Sequence, residues 1–227
     1  MIFERTVQLI GDDNYNKIKQ STVLVLGLGG VGSYACEALA RSGVGKLIIV
    51  DMDKVEESNI NRQLIALHST IGRDKTAVMK VRLLDINPEI EILTYQTFLN
   101  FDTKDEILSH KIDFICDCID TITYKIDIIK EALTRNIPFI SSMGAGNKLK
   151  AELFEIDDLE NTIYCPVARI IRVKLRRQKV YGKIPVIYSK ETPKKLDTKL
   201  YSPSSSPFVP GVAGLLAASY IINTIIE

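Results

Sequence analysis

Apolar residues fall along this chain in short blocks separated by longer stretches of helical spacing. "TVLVL" (22–26) is a β-branched run that reads as a buried strand. The following "VGSYACEALARSG" carries Val31, Ala35, Ala38 and Leu39 at helical spacing and closes on Gly43. "KLIIVD" (46–51) is a second buried strand that ends in an acid. The alternation predicts a helix around 73–86, a strand at 90–95, a helix near 103–109, a strand in "IDFICDCID", a helix over 121–135 and a strand in "IPFISS". Strands alternating with helices predict an α/β fold, a Rossmann-like, doubly wound and mostly parallel sheet. After Lys150 the rhythm breaks into two extra strands, "ELFEI" and "IPVIYS", around a basic helix (166–179), with a C-terminal helix beyond. The expected organisation is one unit over 1–227, with a nucleotide-binding core over 1–150 and a basic elaboration over 151–227.

The 227 residues are 46% hydrophobic, enough for one such domain. A formal net charge of +1 hides an uneven distribution. Between Arg169 and Lys199 eleven Lys/Arg face two acids, a +9 segment on a body of −8. That segment has a bland reading as a solvated helix face, but its excess favours contact with nucleic acid or another polyanion through Arg169, Arg172, Lys174, Arg176 and Arg177. The most apolar stretch, "FVPGVAGLLAASYIINTII" (208–226), is interrupted by a proline, two glycines and Asn223, and reads as a buried or interface helix, not a membrane span. "SPSSSP" (202–207) reads as a mobile loop. Four cysteines without a disulfide framework, behind an N-terminus with no signal-peptide shape, point to the cytoplasm.

Candidate chemistry starts at the turn after the first strand. "GLGGVG" places Gly27, Gly29, Gly30 and Gly32 where a backbone must turn tightly and approach a phosphate. Asp51, 19 residues beyond Gly32, stands where a ribose-binding acid belongs. A nicotinamide enzyme has no need of further cations, because the helix N-terminus already holds its pyrophosphate. Attack on the α-phosphate of ATP does need them, and Asn59, Arg62, Gln63 and Lys75 follow the acid. Asp117 and Asp120, at the end of a later strand, are suited to holding Mg²⁺. Only His68 and His110 exist, neither beside a nucleophile, so a hydrolase triad is not indicated.

Taken together, these residues resemble the ubiquitin-activating-enzyme-like (ThiF/MoeB/HesA) adenylyltransferases. That pattern runs through a GxGGxG turn, D-x-D-x-V-x-x-S-N-x-x-R-Q, a lysine thirteen residues past the arginine, and D-x-x-D. Here it is Gly27 to Gly32, Asp51, Asp53, Ser58, Asn59, Arg62, Gln63, Lys75, Asp117 and Asp120. The resemblance implies that Asp51 holds the ATP ribose, Asn59, Arg62 and Lys75 the phosphates, and Asp120 the Mg²⁺. It also implies a homodimer in which Arg5 reaches the neighbour's ATP. Sulfur-carrier activators of the family add a zinc site of two C-x-x-C pairs, which Cys36, Cys116, Cys118 and Cys165 do not form; no zinc is expected, and the first three read as core residues.

The C-terminal half is similar to the tRNA threonylcarbamoyladenosine dehydratase branch, in "SSMGAGNKL" (141–149), "CPVARIIRVKLRR" (165–177), "VIYSKETP" (186–193) and "PFVPGVAG" (207–214). It departs where that branch has Asp-Pro, at Lys150-Ala151. The resemblance implies ATP-dependent cyclisation of a threonylcarbamoyl group on tRNA, with room for a sulfurtransferase-type helper protein. Two other readings stay open: activation of a ubiquitin-like sulfur carrier, and a non-catalytic nucleotide sensor. Cys165, before Pro166 at a helix start, reads as structural, with a thioester role as the alternative.

Overall fold

The computed structural model describes residues 2–100, 102–194 and 203–227. Among them, seven strands form one sheet in the order β3-β2-β1-β4-β5-β7-β6. These are β1 (Thr22–Leu26), β2 (Lys46–Val50), β3 (Glu91–Tyr95), β4 (Phe114–Asp117), β5 (Phe139–Ser142), β6 (Phe154–Asp158) and β7 (Pro185–Ser189). Every pairing is parallel except β6 with β7.

Successive strand residues point to opposite faces, and both faces are covered, which is why the strands read as continuous apolar runs. Val23 and Val25 of β1, with Leu47 and Ile49 of β2, join a core with α3 (Gly32–Arg41) and α8 (Phe208–Ile226). Leu24, Leu26, Ile48 and Val50 face α6 (Ile122–Arg135) and α7 (Pro166–Arg177) on the other side. The expected helices over 73–86 and 103–109 appear as α4 (Lys75–Ile86) and the single turn α5 (Lys104–Ile107). The apolar helix α8 is a core element: Gly211, Ala213, Gly214, Ala217 and Ala218 are buried, and their small side chains bring it against α3.

Two elements had no sequence expectation. α1 (Glu4–Ile10) and α2 (Asp12–Gln20) fold back on each other, with Phe3 and Tyr15 rings 5.7 Å apart. Ile18 of α2 is buried in the main core, and Lys17 Nζ donates to Ile226 O at 2.8 Å, closing the two ends of the chain together. The reading of 202–207 as a mobile loop needs correction. Asn147 N donates to Ser204 O (2.7 Å), Ser204 N returns to Asn147 Oδ1 (2.8 Å), and Asn61 Nδ2 reaches Ser205 O (3.2 Å). Residues 203–205 are thus fastened to two loops of the site; Ser202 lies outside the described residues, as do Lys195 and Lys199 of the basic segment.

Candidate active site

The strand order reverses at β1, between β2 and β4, so the loops beyond their carboxyl ends splay apart and leave a crevice. A cavity of about 750 Å³ fills it. Gly27, Gly29 and Gly30 form its floor. Gly27 has a φ of +85°, and a Cβ on Gly32 would lie 1.8 Å from Gly27 O, so only glycine lets α3 start directly off the turn. Gly32 itself is buried and serves that packing, not the cavity wall.

Asp51 lines the cavity from the end of β2. Its carboxylate accepts hydrogen bonds from Leu28 N (2.6 Å) and Asp53 N (2.8 Å). Burial pushes its pKa above the ordinary carboxyl value, opposed by nearby Lys75 and by these two amides. Lys75, only 4% exposed, opens α4 and holds Asp53 at 2.8 Å. Asp53 is therefore the counter-ion of a buried lysine at the cavity wall. Asn59 closes a capping box with Glu56, its Oδ1 accepting from Glu56 N at 3.2 Å. That short turn carries Arg62, whose guanidinium donates to Ser58 O and Asn61 Oδ1, both at 2.8 Å. Gln63 Oε1 and Ser142 Oγ are buried with no hydrogen-bond partner among the described residues, and both residues line the cavity. Asp120 is exposed on the opposite wall. The site thus sets two cations, Arg62 and Lys75, across from a glycine cradle, an arrangement that receives a polyphosphate.

Several expected roles are not met. Asp117 is not an open metal ligand. Its Oδ2 takes Lys125 Nζ at 2.7 Å and Ser141 Oγ at 2.6 Å, and both partners of the ion pair are 1% exposed. Its Oδ1 accepts from Ile119 N at 3.1 Å, so Asp117 shapes the turn that presents Asp120. Lys125 was legible as an anomaly: it sits on the apolar face of α6 beside Ile122, Ile126 and Ile129. Cys36 and Cys116 are buried as expected, and burial pushes the Cys36 thiol pKa up; Cys118, by contrast, is half-buried and lines the cavity. Cys165 is buried at the start of α7. Arg5 is exposed on α1 and does not line this chain's cavity.

The basic helix is also less uniform than its charge count. Arg172 Nη1 is spent inside the protein, donating to Leu159 O (3.0 Å), Glu160 O (3.1 Å) and Thr162 O (3.1 Å). Arg176 is paired with Glu160. Arg169, Lys174 and Arg177 are exposed. The departure at Lys150-Ala151 is accommodated by buried Glu191, whose carboxylate takes Leu149 N and Lys150 N. His68 is exposed on a short turn, and His110 bonds Tyr95 Oη at 2.7 Å, far from any catalytic pairing with a nucleophile.

Parallel sheet, switch-point cavity and glycine cradle define a nucleotide-binding α/β protein. The chain belongs to the ThiF family, whose pattern matches residues 3–227. It is 42% identical to the tRNA threonylcarbamoyladenosine dehydratase of Bacillus subtilis, over 99% of this chain and 94% of that one. The solved Escherichia coli tRNA N6-threonylcarbamoyladenosine dehydratase in complex with AMP superposes with a TM-score of 0.93 at 29% identity, covering 99% of this chain and 93% of that one. Its complex with ATP gives a TM-score of 0.90 at 29% identity, with the same coverage of both chains.

Proposed function

We propose that this chain is an ATP-dependent dehydratase that cyclises the threonylcarbamoyl group of threonylcarbamoyladenosine in tRNA. One observation carries the reading: a cradle-and-cation cavity in a chain similar over nearly its whole length to dehydratases solved with ATP and AMP. A carboxylate is a poor electrophile. Its oxygen attacks the α-phosphorus, the bond to pyrophosphate breaks, and an acyl-adenylate forms. The attacking group of the same modified nucleoside then adds to the acyl carbon, loses its proton, and expels AMP with the former carboxylate oxygen. Water is removed in total and ATP becomes AMP and pyrophosphate. Because nucleophile and electrophile share one nucleoside, positioning supplies the second step and no protein nucleophile is needed.

In this reading Gly27, Gly29 and Gly30 seat the phosphates, and Asp51 accepts the ribose hydroxyls. Arg62 and Lys75 stabilise charge growing on the α-phosphate, with Asn59 and Gln63 completing the phosphate contacts. Asp120 fits Mg²⁺: its carboxylate is exposed, and among the described residues its one hydrogen-bond partner is Thr121 Oγ1 at 3.4 Å. Bound there, the ion would neutralise phosphate charge. Residues 1–150 act as the nucleotide core and 151–227 as the part that meets tRNA in the cytoplasm, with a sulfurtransferase-type helper as a further partner detectable by stimulated turnover.

The tRNA contacts are assigned to Arg169, Lys174 and Arg177; Arg172 and Arg176 drop to structural and half-neutralised roles. Lys174→Ala with Arg177→Ala should weaken tRNA binding and flatten the log–log salt dependence by about 1.5. Arg176→Ala should change that slope less, since Glu160 already neutralises it. A double variant with the wild-type slope contradicts the assignment.

Arg5 is placed across a homodimer. Arg5→Ala and Arg62→Ala should each be impaired alone, yet an equal mixture should regain activity, because mixed dimers contain one intact site. No recovery on mixing, with exchange verified, would put Arg5 outside the site.

A further inference from the structure

An aromatic side chain beside the cavity is left over from this account. Tyr164 is 63% exposed and has a φ of +56°, a left-handed conformation that non-glycine residues rarely adopt. Among the described residues its hydroxyl has no hydrogen-bond partner and its ring no aromatic neighbour. No hydrogen bond or ring contact among the described residues therefore accounts for a tyrosine there. Both flanks are rigid. Upstream, the Leu159–Thr162 turn is clamped by Arg172; downstream, Cys165 is buried and Pro166 opens α7. Three residues on, Val167 lines the cavity, and three residues of chain reach at most ~11 Å. The outer face of the same helix carries exposed Arg169, Lys174 and Arg177.

We propose that Tyr164 is a stacking platform for an unpaired base next to the modified adenosine of the tRNA. The proposal rests on the tRNA reading above. An adenosine whose side group must enter a cavity has to leave its stack, and its neighbour then needs a new π-face. A ring carried on clamped backbone offers one with its Cα already in place, and the basic helix face beside it matches the phosphate run of a loop. Ile170 and Val173, also exposed on that helix, add apolar surface under the bases.

The chain contains no tryptophan, so Tyr164→Trp introduces a single fluorescent reporter. Its emission should be quenched on adding tRNA, with or without the threonylcarbamoyl group, because the stacked base is the neighbour. Tyr164→Asn removes the ring but suits the left-handed backbone, so its thermal midpoint should hold while KM for modified tRNA rises about 5- to 100-fold. Tyr164→Phe should keep the wild-type KM, and ATP affinity should not move in any variant. Wild-type KM in Tyr164→Asn, or emission that follows protein concentration and not tRNA, overturns the platform while leaving the dehydratase reading intact. Failure of the wild-type protein to turn over modified tRNA overturns both.

Discussion

Arg62→Ala is expected to lower the rate of AMP formation by about 10²- to 10³-fold while the thermal midpoint stays near wild type. The loss is catalytic because the guanidinium lines the cavity, and its internal contacts, to Ser58 O and Asn61 Oδ1, are made at the half-buried edge of a turn. Water can replace it at those acceptors, but nothing replaces a fixed cation beside a phosphoryl group gaining charge. Lys75→Ala should lose rate to a similar degree and also some stability, since its ammonium is buried and paired with Asp53. Measuring single-turnover rate and melting separately for each variant distinguishes the two residues. Turnover within a few-fold of wild type in both would remove them from the phosphate site.

Lys125→Met is expected to give the largest loss of stability in the chain, about 3–5 kcal/mol, because it leaves the Asp117 carboxylate charged, buried and without its cation. For a domain of this size that is a fall of roughly 6–20 °C in the melting midpoint. Adding Asp117→Asn should recover much of it. Asparagine carries no charge to strand; its Oδ1 still accepts from Ile119 N, and its Nδ2, standing where Asp117 Oδ2 was, donates to Ser141 Oγ. Activity should fall in parallel in Lys125→Met, since the Ile119 turn carries Asp120 into the cavity. A single variant as stable as wild type would mean that the pair does not anchor the β4 turn.

The nucleotide half of this protein was legible because its chemistry is local. The glycine turn, Asp51, the Asn59–Gln63 stretch and Lys75 all fall within one βαβ unit and its extension, where spacing along the chain maps directly onto geometry. The strands were legible for a related reason: with helices on both faces, each becomes an uninterrupted apolar run. Features that need partners from distant segments were misread. Asp117 looked like a metal ligand because its cation, eight residues on, and Ser141 of β5 meet it only in the folded sheet. Arg172 and Arg176 counted as free charge because a sequence shows a guanidinium but not the carbonyls or carboxylate that occupy it. Residues 203–205 looked mobile by composition, yet their backbone is bonded to Asn147 and Asn61. α1 and α2 escaped notice because their packing rests on few apolar residues, chiefly Phe3, which precedes α1, and Ile18 of α2.

The three functional readings part at one point, the identity of the carboxylate that meets ATP. A sulfur-carrier activator would adenylate a protein C-terminus and ignore tRNA; a sensor would bind ATP and release nothing. The decisive measurement is AMP release from ATP with purified protein and tRNA carrying threonylcarbamoyladenosine, tRNA lacking that group, or no RNA, with nucleoside mass spectrometry of the recovered tRNA. The account predicts AMP formation only with the modified tRNA, matched by loss of one water from its modified adenosine. Equal AMP release under all three conditions, or AMP formation without that mass change, would contradict it.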